Sequence, residues 1–299
     1  MNLYFIDLLE IKPALTLQEI NRMKWKFRQN NSFKKLLALL FLWVMIDSSA
    51  AGAESDLGDT KQVASVLESL NWITEEYPPF NYRDIDTGEI SGAAVEILLK
   101  IFSKLGVSSN NVDLKIYPWA RGYHKVLNDP GTVLFSTTYT PERLARMKFV
   151  GPMAPNVVAV IAPKSSNLVI NSNKDLNQLS IGVVRDDIGE QLLISQGVKP
   201  EAIDQLNSGL SMVKKLASGR IDAVGYAYAT TLLLFKTAHI NPDDFEIIHL
   251  LKSSTMGYAF HSSTDEQILE PMRKALKELD VDGTLAKIQI KYGLKEANE

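Results

Sequence analysis

The residues best suited to chemistry stand in the middle of the chain. Ser136-Thr137-Thr138-Tyr139-Thr140-Pro141-Glu142-Arg143 directly follows the apolar stretch Thr132-Val133-Leu134-Phe135. A buried strand there opens into a turn rich in hydroxyls, and Arg143 follows where a helix starts. Hydroxyls and free backbone N–H groups at a helix N-terminus, with a guanidinium fork beside them, suit the capture of a small anion, a carboxylate above all. The same residues also read as a plain helix start, with Thr140 as cap, Pro141 at the first helical position and Arg143 on the surface.

Little in the chain offers catalysis. His124, His239, His249 and His261 are scattered, with no H-x-x-x-H pairing for a metal and no Gly-rich phosphate loop. There is no cysteine, which excludes a disulfide framework, a thiol nucleophile and a zinc–thiolate site. No cofactor or metal and no enzyme activity are expected.

The elements that must position these residues alternate. Leu70 to Thr74 reads as a strand ending in the Pro-stiffened loop Glu75-Glu76-Tyr77-Pro78-Pro79-Phe80. Ala94, Ile97, Leu98, Ile101 and Leu105 share one face of a helix that Gly106 terminates. Val112 to Tyr117 reads as a strand, Trp119 to Leu127 as a helix and Thr132 to Ser136 as a strand. A second set starts near Pro155: strands at 157–162, 180–184 and 221–224, helices at 188–195, 210–217 and 227–236. A return strand at 256–260 precedes helices at 265–279 and 281–291. Such alternation predicts an α/β protein on a largely parallel sheet.

The N-terminus reads as a secretory signal peptide. A basic stretch (Lys24, Lys26, Arg28, Lys34, Lys35) precedes the 11-residue apolar run Leu36 to Ile46, and Ala51-Gly52-Ala53 is a small-x-small cleavage signal. The run is well short of the roughly 20 residues that span a bilayer. Asp7, Glu10 and Glu19 do not belong in a signal's basic region, so Met23 is the expected true start. Residues 1–53 would be removed, and 54–67 would form a loose lead-in. Without a lipobox cysteine no lipid anchor follows, and retention between the two membranes of a Gram-negative cell is the expected location. The formal net charge is −3, and loss of the basic leader makes the remainder more acidic, which argues against nucleic acid as a partner.

Five segments, in order, carry a further likeness: Glu76 to Phe80; Gly92 to Leu98; Phe135 to Arg143; Gly219-Arg220-Ile221-Asp222-Ala223; and Gly257-Tyr258-Ala259-Phe260, followed by Asp282-Gly283-Thr284 and Lys291-Tyr292-Gly293. From about Leu70 to Gly293 the chain resembles the family 3 extracellular solute-binding proteins of bacterial importers. Pro118-Trp119-Ala120-Arg121 is shared with one branch of that family. The resemblance implies a two-lobed, periplasmic-binding-protein-like α/β fold (type II) with the ligand in a cleft between lobes. Lobe 1 would be 68–156 plus 256–295, and lobe 2 would be 157–255. It implies a monomer that passes a small polar, carboxylate-bearing solute to the membrane permease of an ATP-driven importer. Two rivals share the fold: a periplasmic dehydratase acting on prephenate-like carboxylates, and a ligand-sensing partner of a membrane receptor.

The same resemblance assigns site residues. Arg143 falls where the family takes a ligand carboxylate, with Ser136 and Thr138 beside it. Tyr77 and Trp119 match positions where aromatic rings flank the ligand. Arg121 admits two roles, a second anion contact or a structural ion pair. Asp187 is either a ligand contact at a helix start or a simple N-cap, and Arg185 is equally open. The acidic residue that often holds a ligand's α-ammonium is replaced here by Ala227, so Glu76 or Asp187 would have to supply that charge, or the ligand is not an ordinary α-amino acid.

Overall fold

The computed structural model describes residues 60–296. The expected leader and cleavage signal lie outside the described residues. From residue 60 the expected loose lead-in is instead a helix over 60–69 (α1), because Val63, Ala64 and Leu67 share a face that packs into the core.

The first half of the fold comprises β1 (Asn71–Thr74), the short hairpin β2 (Tyr82–Arg83) and β3 (Ile90–Ser91), α2 (Ala93–Leu105), β4 (Leu114–Ile116), α3 (Trp119–Asn128), β5 (Thr132–Thr138) and α4 (Pro141–Arg146). Helix α2 buries Ala94, Ile97, Leu98, Ile101 and Phe102 at helical spacing, and Gly106 ends it in the left-handed conformation. All seven residues of β5 are buried, which marks it as a central strand.

A 17-residue strand, β6 (Met147–Pro163), leads to the second half: β7 (Ile181–Val184), α5 (Ile188–Ser195), β8 (Ile203–Leu206), α6 (Gly209–Ala217), β9 (Ala223–Ala227) and α7 (Tyr228–Thr237). A second 17-residue strand, β10 (Phe245–His261), returns to the first half. Helices α8 (Glu266–Val281) and α9 (Thr284–Lys291) close the chain, separated at Gly283, whose φ of 76° no helix continues.

The sheet order is β4-β1-β5-β10-β6-β9-β7-β8. It is mixed rather than largely parallel. The trio β4, β1, β5 is parallel, as is the trio β8, β7, β9, and between them β6 and β10 run antiparallel. Of β10, the stretch Met256–Phe260 pairs with β5, and of β6, the stretch Val158–Ile161 pairs with β9. At about 3.3 Å per residue each long strand spans some 55 Å, so one pair serves both trios. The short strands read at 157–162 and 256–260 are the apolar ends of these ribbons. Pro155 and Ser253-Ser254-Thr255 interrupt the hydrophobic pattern while the backbone ladder continues through them, and Pro152 falls where the register shifts between Ala154 and Val150.

Candidate functional site

In a doubly wound sheet, ligands gather outside the carboxyl ends of parallel strands. Here both trios turn those ends toward one another. Thr74 ends β1 and Glu75 follows it, Trp119 follows β4, Arg143 follows β5, Asp187 follows β7, and Tyr226 lies at the end of β9. Three contacts tie the halves together there. Trp119 Nε1 donates to the Asp186 carbonyl at 2.8 Å, Arg143 Nε donates to Gln191 Oε1 at 3.2 Å, and the rings of Tyr77 and Tyr226 meet edge to face at 5.4 Å.

The loop after β1 is held from three sides. Tyr77 and Asn81 exchange backbone hydrogen bonds, and Asn81 Nδ2 donates to the Glu75 carbonyl. The Ser136 hydroxyl donates to Asn81 Oδ1, which pins the loop to β5. Gly92 passes so close to the Phe80 carbonyl that a Cβ would lie 2.4 Å from its oxygen. Ser136 itself has φ 50°, a left-handed kink inside a strand. Such sparsely populated conformations concentrate at functional sites.

Arg143 is placed by a helix start of the expected kind. Thr140 caps α4 by accepting the Arg143 N–H at 3.1 Å, and Pro141 opens the helix. The side chain is not on the surface but fully buried. Its guanidinium carbon sits 5.2 Å over the Trp119 ring and 5.3 Å over the Tyr123 ring, a cation–π arrangement. Nη1 donates to the Thr138 carbonyl at 3.3 Å, and Nη2 has no partner in the protein. No carboxylate approaches within ion-pair distance of Arg143 among the described residues.

Asp187 occupies the N-cap position of α5 and is 3% exposed, yet its side chain makes no N-cap hydrogen bond and Oδ2 is unpartnered. Burial pushes its carboxyl up to about 6, while Arg143 and the Ile188 and Gly189 N–H groups pull it down. Glu75 is partly exposed as a residue, but protein atoms crowd its carboxyl. Burial pushes it well above the usual carboxylate range, Asp187 adds to that, and Arg143 opposes it. Tyr77 and Tyr226 are raised as well, first by burial and then by Asp187 and Glu75, so both keep their protons as donors. The Tyr226 hydroxyl, Thr74 Oγ1 and Thr230 Oγ1 are buried without partners. Buried polar atoms are normally satisfied, so orphans facing one junction mark a place built for polar contacts.

Of the residues expected from sequence, Tyr77, Trp119, Thr138, Arg143 and Asp187 come together. Ser136 is buried beside them with its hydroxyl committed to Asn81. Arg121 stands apart, exposed, its guanidinium 4.3 Å from the Tyr117 ring centre. Arg185 is exposed. Glu76 is exposed too, and its carboxylate accepts the Arg83 N–H. Sequence reasoning missed Glu75, Tyr123, Gln191 and Tyr226. The available signal for Glu75 was its place directly after the carboxyl end of a strand. Ala227 is fully buried and carries no charge, and Asp187 is the buried acid with an unpartnered oxygen at the junction.

Comparison with known proteins agrees with this architecture. The chain is similar to the L-cystine-binding protein TcyA of Bacillus subtilis (strain 168), with 26% identity over 269 residues covering 87% of this chain and 97% of that protein. It is similar to an ancestral arginine-binding protein solved with arginine, at 27% identity and TM-score 0.64, covering 75% of this chain and 97% of the other. EhuB, solved with hydroxyectoine, shares the fold at 24% identity and TM-score 0.69, covering 79% of this chain and 93% of that one. The family model for bacterial extracellular solute-binding proteins, family 3, matches residues 70–295, and the chain belongs to that family.

Proposed function

We propose that this protein captures a small, polar, carboxylate-bearing solute, an amino acid or a close relative, and hands it to the permease of an ATP-driven importer without chemical change. One observation carries the reading: at the junction of two α/β halves a fully buried guanidinium with a free Nη2 lies near the buried Asp187 carboxyl of the opposite half, which has an unpartnered oxygen of its own. An uncompensated buried charge is costly. A carboxylate on Arg143 would supply the missing partner in the fork geometry that guanidinium favours. The relatives support the solute class. Cystine, arginine and hydroxyectoine each join a carboxylate to a cationic nitrogen.

The lobes of this reading are 68–156 with 256–295, and 157–255. The sheet supports that division, since β5 attaches to one end of β10 and β9 to the opposite end of β6. The leader's pattern supports export to the periplasm with cleavage after Ala53, which the N-terminal mass of exported protein reports. A thermal-shift screen of amino acids, amines and small organic acids tests the function. A solute at ~100 times its dissociation constant adds about 2.7 kcal/mol of stability. A screen in which no carboxylate-bearing solute raises the melting temperature contradicts the proposal.

A further inference from the structure

Arg143 is held on every side but one. Its guanidinium lies over the rings of Trp119 and Tyr123, and Nη1 donates to the Thr138 carbonyl. Those partners belong to the first half of the fold. The remaining contact comes from the second half, where Gln191 of α5 accepts the Arg143 Nε–H on Oε1. Gln191 is fixed in its turn. Its Nε2 donates at 2.8 Å to the Asp186 carbonyl, which also accepts Trp119 Nε1 at 2.8 Å. Asp186 has φ 61°, and its own N–H donates to Glu190. Only one orientation of the amide lets Gln191 donate to a carbonyl at one end and accept from a guanidinium at the other, so a flip would lose both bonds.

We propose that Gln191 is a positioning residue for Arg143: by holding Nε from the opposite half, it closes one docking edge of the guanidinium and leaves the solute's carboxylate the Nη1–Nη2 end. This rests on the function proposed above. A guanidinium can present parallel N–H groups to a carboxylate along its Nε–Nη2 edge or at its Nη1–Nη2 end. Gln191 occupies the edge. At the end, Nη2 is buried without a partner, and Nη1 keeps a further N–H beside the one given to Thr138. The receptor for the carboxylate is therefore assembled from both halves and is complete only where they meet. The residue type suits the task. A neutral amide oxygen satisfies the buried Nε–H and leaves the positive charge of Arg143 for the solute. A carboxylate at 191 would satisfy the same N–H but pair with Arg143 itself, and an apolar side chain would leave Nε without an acceptor.

Titration calorimetry of the purified protein against the protein amino acids, L-cystine and hydroxyectoine tests this, with Gln191→Met and Gln191→Glu beside the parent. Gln191 is half-buried, so both replacements fit its place, and melting temperatures of the solute-free variants check that they fold. For the tightest-binding of these compounds, Gln191→Met is expected to lose about tenfold to a hundredfold in affinity, the worth of a hydrogen bond to a charged group. Gln191→Glu is expected to lose more than Gln191→Met, because its carboxylate competes with the solute for Arg143. A glutamine with a merely structural role would give the reverse order, since glutamate has nearly its shape and keeps the acceptor. Binding by Gln191→Met within about threefold of the parent would overturn the inference, as would tighter binding by Gln191→Glu than by Gln191→Met. Either result leaves the proposed function standing. Failure of every compound to bind the parent would overturn both.

Discussion

At the scale of the residue, the site is defined by groups whose charge the fold makes expensive. Asp187 is the clearest case. Its carboxyl, raised to about 6 by burial, faces Glu75, Arg143, Glu190 and the hydroxyls of Tyr77 and Tyr226. A raised carboxyl keeps a proton in the folded state that the unfolded chain has already released. The folded solute-free protein therefore binds more protons than the unfolded chain between about pH 4 and pH 6, and stability falls as pH rises through that window. At 1.36 kcal/mol per pKa unit the loss is up to about 3 kcal/mol. Glu75 shifts in the same direction and adds to it. Urea unfolding of the solute-free protein at pH 4.5, 5.5 and 7 is expected to show this decline, and Asp187→Asn is expected to flatten it. Parallel curves for parent and variant would mean that Asp187 does not titrate in this range. Much of this residue-level picture was legible from the chain. Arg143 stood out because a hydroxyl-rich turn and a helix start flank it. Glu75 did not, because two adjacent glutamates differ only in which one the end of β1 turns inward, and that depends on the hydrogen bonds of Asn81.

The elements position these groups through close backbone contacts. Gly189, in the first turn of α5, packs directly on β9, where an added Cβ would lie 1.9 Å from the Gly225 carbonyl oxygen. Gly189→Ala must push α5 off the sheet, carrying Asp187 and Gln191 with it. The expected cost is about 1–3 kcal/mol or more, together with a loss of solute affinity. Gly88, at the exposed turn between β2 and β3, has φ 73° and no atom near its missing Cβ. Gly88→Ala is expected to cost about 1 kcal/mol of backbone strain and no affinity. Urea midpoints and calorimetry on both variants check the contrast, and equal effects on affinity would deny α5 its positioning role. The helices were readable because their apolar faces repeat at helical spacing, as Ile97, Leu98 and Ile101 do in α2. The long strands were not, because prolines and a Ser-Ser-Thr run hide a ladder that only the partner strand reveals. β8 was missed for a related reason: its Ile-Asp-Gln-Leu sequence forms an edge strand with too few apolar residues to stand out.

At the scale of the whole molecule, the β6–β10 ribbon and the side-chain contacts at the junction join the two halves. Trp119 to Asp186 and Arg143 to Gln191 both cross that junction. A solute bridging Arg143 and Asp187 would strengthen the same closure, in the manner of hinged two-domain binders. Small-angle scattering is expected to show a smaller radius of gyration once the tightest-binding solute of the thermal screen saturates the protein. An unchanged radius would mean that the halves do not move on binding. The alternation of strands and helices and the late return strand were legible in sequence. The meeting of the halves at one polar junction depended on which strand ends face each other, which no local pattern encodes. The central claim is that Arg143 holds the solute's carboxylate there, and the most direct test is calorimetry of that same solute on the parent and on Arg143→Ala. Removing one partner of a buried, hydrogen-bonded charge pair costs roughly 2–5 kcal/mol, so affinity is expected to fall about 30-fold to several thousand-fold. Binding by Arg143→Ala within about threefold of the parent would contradict the account.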